Sequence, residues 1–598
     1  NATTTGKTVT TNGIGFGAAI TFDGVGGGWT LGSAISSNNI LTVTNGTFDT
    51  SSSGNYAVTV NSISSSNSNV RTINLNGSTV TLALSTAIVF TTSTNLTLNA
   101  GTSTINLSAL NPLFAGNNGT FYNVAFTSTA LTTPSITGAN TFNNLSVTGR
   151  TTVGIGVLSL SADQTINGTF TVSAGTASAY RTAVFSDTFN TTRTLTCAAV
   201  SLTDTDFRDI TIAGAASPAS GTRLGDCKGN SGITFVAAKT VYFGRTGSGN
   251  WGTVLTGGTW SATSGGSLDA TQFPLAQDTA IFPAATYPAS GSTTTINASY
   301  NIGTIDMSLR TSNTMTLATG TNTPAIYGNW INGTGITISG TGTLTFAGRT
   351  TQQITSSAKT FTQNITINSP SGSVTLQDAL TTGTTVATTL TNGTLDLNGF
   401  TYTVGTRFTT ATGTKNLTFN GGTLVCPDPN TTSFNNAAPT NFTTTAGTGT
   451  GTISMTAATA KTFVGGGSTF NCTLNQGGAG DLTITGSNTF SNITNTYKSV
   501  SATSILFTAG TTSTFTDWNA SGESTRLLTI GSVTAASHTL SKASGTVSAD
   551  FLSISRSTAT GGAAWYAGAN STDGGSNSGW IFTAPPSATA TGNFLVFF

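Results

Sequence analysis

Residues Ile136–Gly149 read ITGANTFNNLSVTG, and residues Ile484–Tyr497 read ITGSNTFSNITNTY. A phrase this uncommon does not recur by chance in one chain. Laying the sequence on itself at an offset of about 347 aligns further pairs. LTVTNGTFD from Leu41 meets TTLTNGTLD from Thr388, GTSTINL from Gly101 meets GTGTISM from Gly449, and GDCKGNSGITF from Gly225 meets TDGGSNSGWIF from Thr572. One long unit is therefore present about one and two-thirds times. Such a chain is expected to continue before Asn1 in the gene product.

Within the unit the beat is shorter. Runs such as NLTLNAGTSTINL (from Asn95) and DLTITGSNTF (from Asp481) place Leu, Ile, Val or Phe at every second position, with Thr, Ser or Asn between. That period belongs to a strand with one buried face. Asn-Gly, Gly-Ser or Gly-Gly closes each run, as turns require. Comparable strands recur at roughly 20 to 25 residues, the spacing of solenoid coils.

Composition agrees. Only 7% of the 598 residues are charged, against roughly 25% in ordinary soluble proteins. Disorder does not follow, because the chain carries 33 Phe and abundant β-branched residues, which favour a pleated, half-buried surface. Helical spacing of strong helix formers is missing. The predicted fold is all-β: an elongated parallel β-helix, or β-solenoid, of two successive units. Immunoglobulin-like sandwiches would repeat near 100 residues, and no such repeat is seen. Stacked like charges about 4.8 Å apart would repel, whereas Thr and Asn in register hydrogen-bond, which accounts for the scarcity of charge. At roughly 22 residues per coil, a rod on the order of 130 Å is expected.

The expected organisation is a partial first solenoid unit over 1–240, a Trp/Gly/Pro-containing opening or capping module over 241–300, a second solenoid unit over 301–586, and a linker with an apolar tail over 587–598. In that tail Phe594, Leu595, Val596, Phe597 and Phe598 are expected to be buried against another copy or a partner, since a free apolar end invites aggregation.

Chemistry is sparse. A net charge of +1 with no basic run excludes the electrostatic footprint of nucleic-acid binding. No apolar run approaches the roughly 20 residues that span a bilayer. The best acidic cluster is SLTDTDFRDI, with Asp204, Asp206 and Asp209; in a strand Asp204 and Asp206 share a face, as a carboxylate pair or cation site would need. An exposed strand edge or a turn ladder explains the cluster more simply. In the other copy ADFLSI aligns Asp550 with Asp206, and Asp204 has no acidic counterpart. The single His, His538, has no acidic or Cys neighbour and reads as a surface residue. Cys197 and Cys227, about one coil apart, are a candidate disulfide, and Trp565 with Tyr566 is a candidate glycan-stacking pair. No catalytic triad, metal-ligand spacing or phosphate loop is present in the sequence, so neither a cofactor nor enzymatic activity is expected.

The GNW…GGTW…P…DTAIF stretch, the LTNGTLDLNG and ITGSNTFSNI strand phrases and the NSGWIF close together resemble Thr/Gly/Asn-rich β-solenoid surface proteins of bacteriophages and bacteria. The resemblance implies an extracellular fibre: a phage tail or capsid fibre with a host-attachment role, or a secreted bacterial adhesin. It also implies homo-oligomers, commonly trimers, with other virion or surface proteins and a host surface glycan as partners. A glycan depolymerase is the third reading, because some β-helices cleave polysaccharides.

Overall fold

A computed structural model describes residues 1–253, 258–284, 286–428 and 432–586. The chain is all-β, with 1% helix, and folds as a parallel β-solenoid of about 24 turns. It divides into two compact units, one of residues 1–329 with 335–337 and one of residues 330–334 with 338–598. Residues 241–300 thus belong to the first compact unit, for reasons that appear at the site below.

In the first unit each of the early coils contributes one strand to each of three sheets. A five-stranded sheet stacks Lys7–Val9, Gly28–Leu31, Gly46–Asp49, Arg71–Asn74 and Leu96–Asn99; the other two hold nine and ten strands. All of these pairs are parallel, for example Val80 beside Ile105 and Leu82 beside Leu107, with bulges shifting the register in three of them. Alternation does the sorting: in Thr104–Leu107, Ile105 and Leu107 are buried while Thr104 and Asn106 face outward. Outward amides form ladders. Asn144 Nδ2 donates to Asn123 Oδ1 at 2.9 Å, and Asn99 Nδ2 to Asn74 Oδ1 at 2.8 Å.

The second unit is built in the same way. A ten-stranded sheet runs from Thr360–Phe361 to Ser557–Thr560. Inside this unit phenylalanines stack from coil to coil. Phe434 and Phe463 have ring centroids 4.5 Å apart at 8°, and Phe470 and Phe490 5.3 Å apart at 16°.

The twin phrases occupy like surroundings. Gly138 (φ 78°) and Gly486 (φ 89°) each turn the chain in the left-handed region that suits glycine. Two residues on, a buried Asn closes the corner. Asn140 Nδ2 donates to the carbonyls of Thr137 and Gly138 at 3.0 and 2.9 Å, and Asn488 Nδ2 to those of Thr485 and Gly486 at 2.9 and 3.1 Å. Phe142 and Phe490 then enter the core fully buried. The Asn is what makes the phrase worth repeating: it donates to two main-chain carbonyls of a tight turn at once.

The closing phrases match as well. Asn230 Nδ2 reaches Asp226 Oδ1 and the Phe207 carbonyl, and Asn577 Nδ2 reaches Asp573 Oδ1 and the Ile554 carbonyl. The Ile210 amide donates to Asn230 Oδ1, and the Ser557 amide to Asn577 Oδ1, both at 3.0 Å.

Charged side chains are few, and several point inward. Arg71 is 1% exposed; its Nη1 donates to the carbonyls of Asn69 and Thr94. Strand register puts Lys415 at the matching place in the second unit, since Gly46 pairs with Arg71 and Gly393 with Lys415. The Lys415 ammonium bonds the carbonyls of Gly413 and Thr440, the counterparts of those that hold Arg71. Burial lowers the pKa of both cations.

Candidate functional site

The acidic cluster lies where the first solenoid copy meets residues 241–301, and it is built from four segments. Asp204 precedes the strand Thr205–Arg208 with φ 52°, Asp206 lies within that strand, and Asp209 follows it with φ 56°. All three are 1% exposed. The two carboxylates expected to share a face do converge, on Arg181 of the adjoining strand Tyr180–Ser186. Asp206 Oδ1 accepts from Arg181 Nε at 2.8 Å and Nη2 at 2.5 Å, and Asp204 Oδ1 lies 3.7 Å from Arg181 Nη1.

Every charge here has a partner. Asp204 takes a bidentate contact from Arg223, Nε to Oδ1 at 2.6 Å and Nη2 to Oδ2 at 2.9 Å. Asp206 Oδ2 accepts from Asn301 Nδ2 at 2.9 Å, and Asp209 Oδ2 from the Asn190 amide at 3.0 Å. Burial pulls the Arg181 pKa down, but Asp206 first and Asp204 second outweigh it, so the net shift is upward. Around this core Cys227 and Tyr327 are both buried, which drives both of their pKa values up. Arg208 lays its guanidinium over the rings of Phe185 and Phe189, 4.1 and 4.7 Å from their centroids.

The network fastens the seam to the end of the first copy. Asn301 reaches Asp206, and Gln277 completes the last strand, Gly225–Asp226. Gln277 Oε1 accepts from the Asp226 amide at 2.9 Å, and its Nε2 donates to the Leu224 carbonyl at 3.0 Å. The side-chain amide thus takes the place of a further strand on that edge. Inside the seam the Trp/Gly-rich stretch folds into an aromatic knot. Trp251 and Trp260 pack with centroids 4.7 Å apart, and Trp260 Nε1 donates to the Trp251 carbonyl at 2.9 Å. The pair Thr240–Phe243 with Trp260–Ser261 is antiparallel, a break in the coil direction. Asp278, in the PLAQDTAIF stretch, caps this fold by accepting from the amides of Leu275 and Lys239. These ties are why residues 241–300 cluster with the first copy.

Carboxylates that are 1% exposed and already bonded to guanidinium or amide groups are closed off from a substrate. Chemically this arrangement is a clamp. Among the described residues no group of three His, Cys, Asp or Glu side chains could hold a metal ion, and no helix is long and apolar enough to cross a membrane.

Several sequence expectations need correction. The Asp206–Asp550 alignment is out of register by three residues. Asp206 pairs with Gly225 and Phe207 with Asp226, just as Ser553 pairs with Thr572 and Ile554 with Asp573. Ser553 therefore takes the place of Asp206. Phe551 (φ 56°) takes that of Asp204, and Arg556 (φ 53°) that of Asp209. Neither acidic residue of the pair is repeated. Cys197 and Cys227 are free thiols and form no disulfide. Cys197 lies in Arg193–Leu202 of the nine-stranded sheet and Cys227 directly after Gly225–Asp226 of the ten-stranded sheet, so the coil carries them to different walls. Trp565 is 1% exposed, wedged between Trp518 and Trp580 with Nε1 on the Thr560 carbonyl, and presents no face to a sugar. Tyr566 is half-buried beside it. His538 is fully buried, not on the surface. The five apolar tail residues, Phe594 to Phe598, lie outside the described residues.

Arg181, Arg223, Gln277 and Asn301 went unnoticed in the sequence. Arg181 and Asn301 stand outside the acidic motif, 25 and 95 residues from Asp206. Their only sequence signal is that charge is rare enough for each Arg to merit a partner. Comparison with known protein families, with characterised proteins and with solved structures gives no significant match.

Proposed function

We propose that this protein is a structural fibre protein displayed on the surface of a virion, as a phage tail or capsid fibre, with a role in host attachment. The observation that supports this most is the closure of the acidic cluster: the residues best placed for chemistry are spent on joining a solenoid copy to the seam that follows it. A scaffold needs such joints, and a depolymerase needs the same carboxylates open. Coil-to-coil ladders of uncharged amides give a wall whose contacts do not weaken with salt, as a surface-exposed fibre requires. In this reading the chain assembles with itself and with other particle proteins, and a host glycan is the attachment ligand.

The experiment is to purify virus particles from a host culture carrying the gene and to probe them with an antibody raised against residues 301–586. Labelling on particles supports the reading. Recovery in the particle-free medium or on bacterial envelopes would replace it with an adhesin. Release of reducing ends from host capsule by the purified chain would overturn the non-enzymatic reading.

A further inference from the structure

We propose that the corner holding His538 is an acid-sensitive switch: protonating this imidazole, which has no carboxylate beside it, loosens the last coils of the second copy, residues 528–560. The geometry is unusual for a histidine. The ring is 0% exposed and stacks on Phe507 with centroids 4.7 Å apart at 26°. Nδ1 shares a hydrogen bond with Ser532 Oγ at 3.1 Å, and Nε2 is buried without a partner among the described residues. A neutral imidazole tolerates a bare Nε2. An imidazolium there would be a buried N–H donor carrying charge with nothing to accept it.

The first copy shows what a cation at this corner requires. The His538 amide donates to the Arg556 carbonyl as the Arg193 amide donates to that of Asp209, so Arg193 occupies the matching position. Arg193 is paired: its Nη2 lies 3.1 Å from Oδ1 of Asp187, the residue that follows the strand Tyr180–Ser186. In the second copy Val533 follows Leu528–Ser532 in that place. A cation with its carboxylate has become a neutral ring with a valine.

Among the described residues no other group around His538 supplies the missing charge. The strands packed around His538, namely Ser504–Phe507, Thr512–Phe515, Leu528–Ser532, Leu552–Ile554 and Ser557–Thr560, carry no ionisable side chain. Among the charged residues flanking them, Asp517 pairs with Lys542, Glu523 with Arg526, and Asp550 with Asn570, while Arg556 adds positive charge. Burial alone holds the imidazole down to a pKa of about 4, roughly 300-fold more acidic than a free histidine.

As the only histidine in the chain, His538 gives a single imidazole signal in the 13C-histidine-labelled full-length protein. That signal is expected to titrate near pH 4, and peptides from 528–560 are expected to lose hydrogen-exchange protection with the same midpoint. Two variants isolate the cause. Val533→Asp restores the carboxylate of the first copy and should raise the imidazole midpoint by a unit or more while keeping 528–560 protected at pH 4. His538→Gln should abolish the protection change over this range. A wild-type imidazole titrating near 6.5 would overturn the proposal. So would an acid-exchange profile that Val533→Asp leaves unchanged, since carboxylates elsewhere would then be the cause.

Discussion

Truncating Asp206 is the sharpest test of the clamp. Asp206→Ala removes the acceptor of two Arg181 donors and of Asn301, and leaves a guanidinium that is 1% exposed. Breaking one side of a buried ion pair costs about 3–5 kcal/mol, because the remaining charge is stranded away from water. Asp204 at 3.7 Å and the Arg223 carbonyl at 2.7 Å still face Arg181, which places the expected loss toward the lower end, about 3 kcal/mol. The second copy supplies the control. Ser553 replaces Asp206, and the same strand register puts Leu527 in place of Arg181. The double variant Arg181→Leu/Asp206→Ser therefore carries what the chain already tolerates elsewhere, and should recover at least half of the loss. Native-state hydrogen exchange of peptides spanning 240–301 reads the local opening free energy without requiring the whole solenoid to unfold in two states. A loss below about 1 kcal/mol for Asp206→Ala, or a double variant no better than the single, would refute the claim that this network holds the seam.

Three further outcomes are expected. Asn140→Ala and Asn488→Ala each strand one turn carbonyl, that of Thr137 and that of Gly486, because Gln164 Nε2 still reaches Gly138 and the Gly465 amide still reaches Thr485. Each should cost about 1–3 kcal/mol, with the two values agreeing closely; melting of each variant checks this, and a large difference would mean the twin corners are not equivalent. All four cysteines are free and buried, with Cys197 raised to about 12 by burial, so a thiol reagent should label none of them in the native protein and all four in denaturant. Burial lowers the Lys461 pKa to about 8 from 10.5. The unfolded chain then binds more protons between those values, and stability should rise as pH climbs from 8 to 10.5, by up to about 3 kcal/mol; denaturant midpoints of wild type and Lys461→Met compared across that window read it, and equal slopes would exclude Lys461 as the source.

Much of the fold was legible because its signal is local and repeated. In Thr104–Leu107 each outward residue is polar and each inward one aliphatic, and the twin Asn140 and Asn488 phrases keep their role because the same corner recurs. The site was less legible for two physical reasons. The clamp joins residues up to 95 apart through side chains, and a solenoid decides which coils abut only once they are wound. The three-residue slip at Asp206 arose from matching an Asp-Phe pair, whereas left-handed backbone at Asp204 and Phe551 and at Asp209 and Arg556 sets the true register. A Phe or Arg at positive φ has no sequence signature, unlike a Gly or Asn. Burial of His538 was equally silent, since Val533 and Ser532 are ordinary neighbours for a surface residue.

Repulsion between stacked charges explains why this chain has few of them, but not where the remaining ones go. Arg71 and Lys415 differ in shape and donor number, yet each ties the same pair of main-chain carbonyls from adjacent coils. Lys461 does likewise with the carbonyls of Ala457, Gly478 and Gly480, and Arg310 with those of Pro283 and Thr314. A corner that bends the chain turns carbonyls inward without matching amides, and a cation supplies the donors that a strand would otherwise give. None of these cations bonds a carboxylate side chain directly. The pattern separates two uses of buried charge in one protein: cations alone seal ordinary corners, while the fully buried Arg181 meets the fully buried Asp204 and Asp206 where the first copy meets the seam. Burial of both partners, tied on to Asn301 of the seam, is what makes Arg181 and Asp206 different in kind from Arg71.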